Sequence, residues 1–278
     1  QFFRILPYQE AGPDCLTFFN HDAITRDMLE NCNASVMLLR KDSLSESALD
    51  YMREAPRAYF LVSHPRLEIQ RIMSKLYPPP RPTAGIDPSA VVDSQAKIHP
   101  SASIGRFCII GKCDIGEGTV IEAFSIIHDN TRIGRNVRIA EHCVIGGHGF
   151  GFVRDDNDWA LIPHIGGTII EDNVEIFPFA NVDRGTLSDT IIQRGSKIDH
   201  YVHVGHNSHI GENCIITAGT VTCGGVEVGS DCWLGVGTII RDKVVVGSGV
   251  TTGLGAVVIR DVNNGLTVAG VPARPLQA

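Results

Sequence analysis

A six-residue repeat runs through the chain from residue 86 onwards and limits the folds that it can adopt. Aliphatic residues recur at every sixth position in three runs, 86–145, 170–182 and 192–258, with one five-residue step inside the first run. Only Thr222 and Thr252 break the aliphatic rule in the third run. A helix repeats every 3.6 residues and a strand every two, so neither element alone produces this period.

A second marker keeps the same phase. Four residues after each aliphatic residue stands a small or β-branched residue, as at Ala102, Ser125 and Ser196. We interpret both positions as pointing inward, so that each hexad gives one short strand and one corner. Three hexads then close a triangular coil of about eighteen residues, the pattern of a parallel β-helix. Glycine, asparagine and aspartate fill the corners, where left-handed backbone angles are needed.

The cysteines fit this arrangement. Four of the eight occupy the small inward position, namely Cys108, Cys143, Cys214 and Cys232, and we interpret them as core residues. No two cysteines form a CxxC pair, which argues against a zinc site or a disulfide scaffold. Free thiols favour a reducing, cytoplasmic setting.

Residues 1–78 lack the repeat and predict a small α/β domain. Strands are expected at 15–19, 34–39 and 58–63, and amphipathic helices at 21–32 and 65–77. A proline-rich linker, 79–85, separates this domain from the β-helix, which is predicted to span 86–262 and to be followed by a C-terminal tail, 263–278.

Two segments interrupt the hexads, and we expect both to leave the β-helix as loops. The first, 146–169, contains two phenylalanines and a tryptophan, and the second, 183–191, is four residues too long. Loops on a rigid scaffold commonly carry function.

Charge and hydropathy exclude two classes of partner. The net charge is −7 and no basic run occurs, so a nucleic-acid partner is not expected. No stretch approaches eighteen consecutive apolar residues, so no transmembrane segment is predicted.

Four histidines spaced by three, His200, His203, His206 and His209, raise the question of a metal site. The repeat phase puts His200 and His206 at successive corners and turns His203 and His209 outward from flat faces. Equivalent positions are then on the order of 15 Å apart, whereas zinc needs nitrogens at about 2 Å. No metal site is therefore predicted within one chain.

Several segments resemble one acyltransferase family: "GIDPSAVVDSQAKIHPSASIG" (85–105), "GGHGFGF" (146–152), "DRGTLSDTII" (183–192) and "KIDHYVHVGHNSHIG" (197–211). They are similar to the UDP-3-O-acylglucosamine N-acyltransferases of lipid A (lipopolysaccharide) synthesis. "LTFFN" (16–20) and "YFLVSHP" (59–65) are similar to that family's uridine-binding domain.

The resemblance implies a mainly β fold, a left-handed parallel β-helix with a small N-terminal α/β domain. It implies a homotrimer with active sites between subunits. It also implies transfer of a 3-hydroxyacyl group from acyl carrier protein to the amine of a nucleotide-linked amino sugar, with no tightly bound cofactor.

His206 is the expected general base, because neutral imidazole titrates near the working pH. Gly224 follows it by eighteen residues, one coil further, where its N–H is a candidate oxyanion donor. Asp199 is expected to orient the site or a neighbouring subunit's base. On the residues alone, a solvated corner histidine, an ordinary corner glycine and a corner-solvating carboxylate remain the alternatives.

Nine further residues are expected to bind substrate. Phe18, Phe19 and Asn20 are candidates for the uracil, unless the two rings are buried strand residues. His148, Phe150 and Phe152, with Trp159, are candidates for an acyl or sugar groove, unless they anchor the loop. The other three are Asp183, His200 and Lys243. Asp183 alternatively forms an ion pair with Arg184. His200 stands where the family has asparagine, and Lys243, where the family has histidine, is a candidate phosphate ligand.

The closing segment "VAGVPARPLQA" (268–278) looks more like coenzyme-A-dependent sugar acetyltransferases. A coenzyme A thioester donor, acting on another nucleotide-linked amino sugar for surface polysaccharide, is therefore the alternative enzyme. A metal-dependent hexapeptide protein of the carbonic-anhydrase type and a non-catalytic scaffold are the alternatives outside acyl transfer.

Overall fold

The computed structural model describes residues 4–55, 57–78 and 82–276. The chain divides into two compact units, Gln1–Arg81 and Pro82–Ala278. The division falls inside the proline-rich segment 79–85. No helix in the described ranges is long and apolar enough to cross a membrane.

The first unit is a parallel four-stranded sheet in the order β1–β2–β3–β4, flanked by helices. The strands are β1 Arg4–Ile5, β2 Cys15–Phe19, β3 Val36–Arg40 and β4 Ala58–Val62. The helices are α1 Arg26–Glu30, α2 Glu46–Glu54 and α3 Pro65–Leu76, with a 3-10 turn at Lys41–Ser43. The three predicted strands are present, and α3 matches the predicted helix 65–77.

Two helix boundaries differ from the expectation. The predicted helix 21–32 is only the short α1, because Ile24 pairs with Leu44 in a parallel bridge that keeps the preceding residues extended. α2 is an additional helix that was not predicted; its N-cap Ser45 accepts the N–H of Ala48 at 3.2 Å.

The second unit is a left-handed parallel β-helix with three sheets, named faces I, II and III in chain order. Face I comprises Gly85–Ile86, Ser103–Ile104, Val120–Ile121, Arg138–Ile139, Glu175–Ile176, Lys197–Ile198, Ile215–Ile216, Trp233–Leu234, Thr251–Thr252, Thr267–Ala269 and Arg274–Pro275. Face II comprises Val91–Val92, Ile109–Ile110, Ile126–Ile127, Val144–Gly147, Asn181–Asp183, His203–Val204, Val221–Thr222, Ile239–Ile240 and Val257–Val258. Face III comprises Lys97–Ile98, Asp114–Ile115, Thr131–Ile133, Thr168–Ile170, Thr190–Ile192, His209–Ile210, Glu227–Val228 and Val245–Val246.

Both markers of the repeat point into the β-helix, as predicted. Ile198 and Val204 are fully buried, and so are the four cysteines of the small position to within 2%. Serine and threonine are tolerated there because their hydroxyls link successive coils. Ser196 Oγ donates to the carbonyl of Gly211 at 2.7 Å and accepts the N–H of Cys214 at 2.9 Å.

The corner between faces I and II carries a column of exposed rings. Its members are Phe107, Phe124, His142, Phe179 and Tyr201, all with positive φ. Neighbouring rings stack at 5.0 to 5.2 Å between centroids. The corners thus accept left-handed backbone angles at aromatic residues as well as at glycine and asparagine.

The β-helix extends beyond its predicted end. Thr267–Ala269 pairs in parallel with Thr251–Thr252, and Val268 is buried. The prediction that residues 263–278 form a tail is therefore wrong for this stretch, because a short corner resumes the inward aliphatic position. Arg274–Pro275 then pairs antiparallel with it.

The two predicted loops flank face II and face III. Segment 146–169 leaves after Val144–Gly147 and forms an antiparallel hairpin of Phe152–Asp155 with Asp158–Leu161. Segment 183–191 is anchored to it by backbone hydrogen bonds, among them the N–H of Ile165 to Thr186. The loops therefore meet at the corner that follows His203–Val204.

Candidate active site

His206 occupies this corner, between faces II and III. Its Nδ1 lies 2.9 Å from Nδ2 of Asn207 and 3.5 Å from Oγ1 of Thr186. Thr186 belongs to the 183–191 loop, and its N–H donates to Oδ1 of Asn207 at 2.7 Å. The second loop therefore fixes both the histidine and the asparagine that follows it.

The same contacts bear on the tautomer of His206. Oδ1 of Asn207 accepts the N–H of Thr186, so the amide presents Nδ2 to Nδ1 of the ring. The Thr186 hydroxyl, 3.5 Å from the same Nδ1, is an acceptor for a proton carried there. Nε2 faces Gly224, and base action at Nε2 uses the tautomer with the proton on Nδ1.

A second histidine, His164, lies against the base and was missed by the sequence analysis. Its ring centroid is 4.8 Å from that of His206, edge to face at 77°. The side chain is 4% exposed, and its Nδ1 donates to the carbonyl of Ile162 at 2.9 Å. Nε2 is therefore a bare acceptor, buried and without a partner among the described residues.

Gly149 explains why the two rings can approach. A Cβ on Gly149 would stand 2.8 Å from Nε2 of His164 and 2.8 Å from Cβ of His206. The backbone N–H of His164 donates in turn to Nε2 of His148 at 3.1 Å. The predicted substrate ligand His148 is thus part of the internal structure of the first loop.

Burial dominates the electrostatics of the base. Desolvation, and next the neighbouring His164, lower the pKa of His206 below its ordinary value of 6.5. The charge of Asp183 and the carbonyl of Phe150 act in the opposite direction on this pKa. The net effect keeps the imidazole neutral at physiological pH, the form that accepts a proton.

Gly224 lies directly above His206, as the count of eighteen residues predicted. A Cβ on Gly224 would be 2.6 Å from Cε1 and 2.7 Å from Nε2 of the ring. The N–H of Gly225 donates to the carbonyl of His206 at 2.8 Å, whereas the N–H of Gly224 donates to no acceptor in the described parts of the chain. That N–H is available to an oxyanion.

Lys243 continues the column. Its N–H donates to the carbonyl of Gly224 at 3.0 Å, and its exposed side chain passes over Gly225. The ammonium is attached to the same corner as the base, one coil beyond the glycines.

Asp199 and His200 sit at the preceding corner, between faces I and II. Oδ1 of Asp199 accepts from Nδ1 of His200 at 2.7 Å, and Oδ2 accepts the N–H of Ala218 at 3.0 Å. Burial opposes ionisation of this carboxyl, but the hydrogen bonds from His200 and Ala218 outweigh it and lower the pKa of Asp199. Within one chain, both Asp199 oxygens are bound to these two residues.

Asp183 is buried beside the base, and the expected ion pair with Arg184 is wrong. Arg184 Nε donates to the carbonyl of Gly146 at 2.7 Å and bridges the loops. The carboxylate of Asp183 accepts instead from Asn181 Nδ2 at 2.7 Å.

The aromatic residues of the first loop face outward. Phe150, Phe152 and Trp159 line an apolar cavity of about 400 Å³, and Phe150 is 83% exposed. They do not anchor the loop, so the groove interpretation of these rings remains a prediction. The backbone carbonyl of Phe150 acts on the pKa of His206, so the main chain of this lining residue lies close to the base.

The three residues predicted to bind uracil differ in their burial. Phe19 is fully buried and packs on Tyr8 at 4.7 Å, so its proposed stacking on uracil is wrong. Phe18 is partly buried beside α3. Asn20 is exposed and lines a cavity of about 560 Å³ together with Arg40 and His64.

The histidine run has the geometry that the repeat predicted. His203 and His209 point outward from faces II and III, while His200 and His206 are at successive corners. In the ranges 4–55, 57–78 and 82–276, no three histidine, cysteine or carboxylate side chains are grouped to hold a metal ion.

Comparison with known proteins agrees with this arrangement. The bacterial transferase hexapeptide (six repeats) model matches residues 112–147 and 189–224. The UDP-3-O-acylglucosamine N-acyltransferase of Pseudomonas syringae pv. tomato is 33% identical over 229 residues, 76% of this chain and 63% of that protein. The enzyme of the same name from Coxiella burnetii is 32% identical over 237 residues, 78% of this chain and 66% of that protein.

Solved structures show the same fold. The UDP-N-acetylglucosamine acyltransferase of Francisella novicida superposes with a TM-score of 0.63 at 30% identity, covering 69% of this chain and 70% of that one. The UDP-N-acetylglucosamine O-acyltransferase of Moraxella catarrhalis RH4 gives 0.63 at 25% identity, covering 69% and 73%.

The chain spans about two thirds or less of the length of these curated relatives, 63% in the first case. The hexapeptide repeat, the two loops and the similar proteins nevertheless all indicate the same family. The chain belongs to the hexapeptide-repeat acyltransferases and, within them, to the UDP-3-O-acylglucosamine N-acyltransferase family.

Proposed function

We propose that the chain is an N-acyltransferase that moves a 3-hydroxyacyl group from acyl carrier protein to the 2-amine of UDP-3-O-acylglucosamine, a step of lipid A synthesis. One observation carries the proposal: a desolvated imidazole, His206, lies directly below the N–H of Gly224, which donates to no acceptor among the described residues. Acyl transfer to an amine needs these two groups side by side, a base for the nucleophile and a donor for the oxyanion.

The steps follow from this geometry. His206 takes a proton from the sugar nitrogen as that nitrogen forms a bond to the thioester carbon. The N–H of Gly224 stabilises the negative oxygen of the tetrahedral intermediate. The carbon–sulfur bond then breaks, and His206 returns its proton to the leaving thiolate. No resident cofactor is needed.

The ligands are assigned by the chemistry of the surroundings. The apolar cavity of Phe150, Phe152 and Trp159 suits an acyl chain, and His148 holds the loop that carries it. The ammonium of Lys243, at the corner of the base, suits a phosphate of the donor or substrate. Asn20, which directly follows the strand that contains Phe18, suits the uridine, in the cavity that it lines with Arg40 and His64.

We further propose a homotrimer formed through face II. Face II has nine outward residues, of which two, Asn181 and His203, are polar. The other seven are aliphatic: Val91, Ile109, Ile126, Val144, Val221, Ile239 and Val257. A flat apolar row of this kind is buried in stable oligomers. Asp199 and His200 then act on a neighbouring subunit's site. Eight free cysteines suit a cytoplasmic enzyme.

The test is a matched pair of assays. We expect turnover of UDP-3-O-acylglucosamine with 3-hydroxyacyl carrier protein, and none or little with short acyl-coenzyme A and other nucleotide-linked amino sugars. Turnover with coenzyme A thioesters alone would replace the donor and leave the base assignment intact. Absence of acyl transfer from either donor would remove the proposal.

A further inference from the structure

Asp183 is a buried carboxylate whose hydrogen bonds are incomplete. Its side chain is 9% exposed. Oδ1 accepts from Nδ2 of Asn181 at 2.7 Å, but Oδ2 lies 3.7 Å from Nε2 of His203, beyond hydrogen-bond distance.

The neighbouring arginine does not neutralise this charge. Arg184 directs Nε to the carbonyl of Gly146 at 2.7 Å and a terminal nitrogen to that of Asp129 at 3.1 Å. In the described parts of the chain, Asp183 has no lysine or arginine partner within 4.0 Å. A buried anion costs several kcal/mol unless a cation accompanies it, and the side chain nearest to serving as one among the described residues is His203, 3.7 Å away.

Asp183 lies on the coil directly below the base. Asn181 pairs with His203 and Val182 with Val204, so Asp183 stands level with Gly205, the residue before the base. Adjacent strands are about 4.8 Å apart. The charge of Asp183 acts on His206 and raises its pKa, against the larger lowering by burial.

We propose that Asp183 selects an amine acceptor by binding the sugar nitrogen in its protonated form. The inference rests on the proposed function and adds the basis of its preference for nitrogen over oxygen. An aliphatic amine of this type titrates near the α-amino group, at about 8, and so arrives largely as ammonium. A hydroxyl acceptor brings no charge and leaves the carboxylate unpaired, which is the kind of mismatch that gives strong discrimination.

The proton balance is consistent with a neutral base. The bound ammonium first gives one proton to His206, which releases it to solvent. The free amine then attacks the thioester carbon, and His206 takes the second nitrogen proton and passes it to the leaving thiolate. Overall, ammonium and thioester give amide, thiol and one proton.

The experiment compares two ligands by titration calorimetry on the full chain. One is UDP-3-O-acylglucosamine, and the other is its analogue with a hydroxyl in place of the 2-amine. We expect the wild type to prefer the amine by about tenfold or more, for a charge-assisted hydrogen bond. In Asp183→Asn the preference should fall to about one while affinity for the hydroxyl analogue is retained.

The pH dependence adds a second readout. Binding of the amine should weaken as pH rises through the titration of the ligand, and binding of the analogue should not. The titratable and charged groups around Asp183 are few. His203 and His206 lie on the coil above it, and Arg184 follows it in the chain. Gly147 pairs with Asp183 on the coil below, and His128 lies on the far side of Gly147. The His203→Gln and His128→Gln variants should therefore keep the amine preference, as should Glu227→Gln, a control carboxylate on the exposed side of face III.

Three results would overturn the inference. The first is an unchanged amine preference in Asp183→Asn. The second is an equal loss of both ligands together with a lower melting temperature, which marks a structural role. The third is dissociation of the oligomer in Asp183→Asn, which marks an ion pair between subunits. A wild type that binds neither ligand contradicts the proposed function instead.

Discussion

The coils of the β-helix and the surroundings of its first loop differ in how completely their buried polar atoms are hydrogen-bonded. In the coils, each inward residue repeats a local rule, and buried hydroxyls such as that of Ser196 are paired, here with Gly211 and Cys214. Beside the first loop, by contrast, His164 Nε2 and the hydroxyls of two face III residues, Thr131 and Thr168, are buried and unpaired in the described structure. Both threonines flank Gly146, at the start of the first loop.

This difference indicates which part of the fold loses folding free energy through unpaired polar atoms. Unpaired buried polar atoms typically cost about 1–3 kcal/mol each; of the four in the described structure, three lie in or beside the first loop and the fourth is the hydroxyl of Tyr59. The regular coils supply stability that offsets this cost. If this division is correct, changes in the coils should alter stability without chemistry, and changes at the corner should do the reverse.

The largest effect is expected from the base. His206→Ala should lower kcat/KM by about 10²–10⁴-fold, the usual contribution of general-base catalysis, with little change in melting temperature. His209→Ala, on the exposed side of face III three residues further on, is the control and should keep full activity. Equal losses in the two variants would contradict the assignment of the base.

A substitution inside a coil should have the opposite effect, a loss of stability without a loss of activity. Ile198→Ala removes a fully buried inward side chain and should cost about 2–5 kcal/mol in chemical denaturation. Activity per folded molecule should be retained, because the side chain faces away from the corner. Thr251→Ala, outward on the same face, should cost less than about 0.5 kcal/mol. A comparable loss there would mean that the inward position is not what stabilises the coils.

The contact between the loop and the base is tested by Gly149→Ala. The new Cβ would lie 2.8 Å from both His164 Nε2 and His206 Cβ, so the rings have to move. We expect kcat/KM to fall by about 10–100-fold, as for small displacements of catalytic groups. Gly12→Ala, where a Cβ meets nothing within 4 Å, controls for the added methyl group. Wild-type activity in Gly149→Ala would show that the loop does not position the base.

The hydroxyl links are tested by Ser196→Ala. The change leaves the carbonyl of Gly211 and the N–H of Cys214 without their partner, and should cost about 1–3 kcal/mol of unfolding free energy. The exposed Ser94→Ala should be neutral within error. If the two variants melt alike, the buried hydroxyls do not contribute.

The smallest effect is a shift of the pH profile. Because the pKa of His206 is lowered, the acid limb of kcat/KM should lie below the ordinary histidine value of about 6.5. His164→Ala admits water and removes the charge effect of that ring, so it should move this limb upward; His164→Phe removes the charge effect but keeps a ring in place, so it should move the limb less. The unfolded chain binds the proton more tightly, so this contribution to stability is present above pH 6.5 and is lost as pH falls towards the folded pKa. An acid limb that does not respond to His164→Ala would mean that this ring does not desolvate the base.

The two regions also differ in how far sequence reasoning reached. The coils were predictable because each hexad obeys the same steric rule wherever it occurs, and the rule even placed Gly224 above His206 by counting eighteen residues. The fold of the first unit was predictable in its strands but not in α2, which depends on the Ser45 cap and a bridge from Ile24 to Leu44.

The corner was predictable only in part. His164 lies in an irregular segment without a period, so its approach to His206 depends on the path of the backbone and on the missing Cβ of Gly149. Phe18 and Phe19 are adjacent in one strand and necessarily point to opposite sides. Nothing in the sequence indicated which ring would be buried.

The hydroxyl links have a consequence for how the molecule opens in solution. Amides at Val137, Cys143, Cys214 and Val226 donate to side-chain oxygens of the coil below, eighteen residues earlier. Their neighbours along each strand donate to carbonyls of the adjacent coil. These donors lie at the same position of the six-residue repeat, so slow amide exchange should rise and fall with a spacing of six residues along the coils and lose that rhythm in the two loops. The repeat of the β-helix would then be visible in a measurement that carries no spatial information.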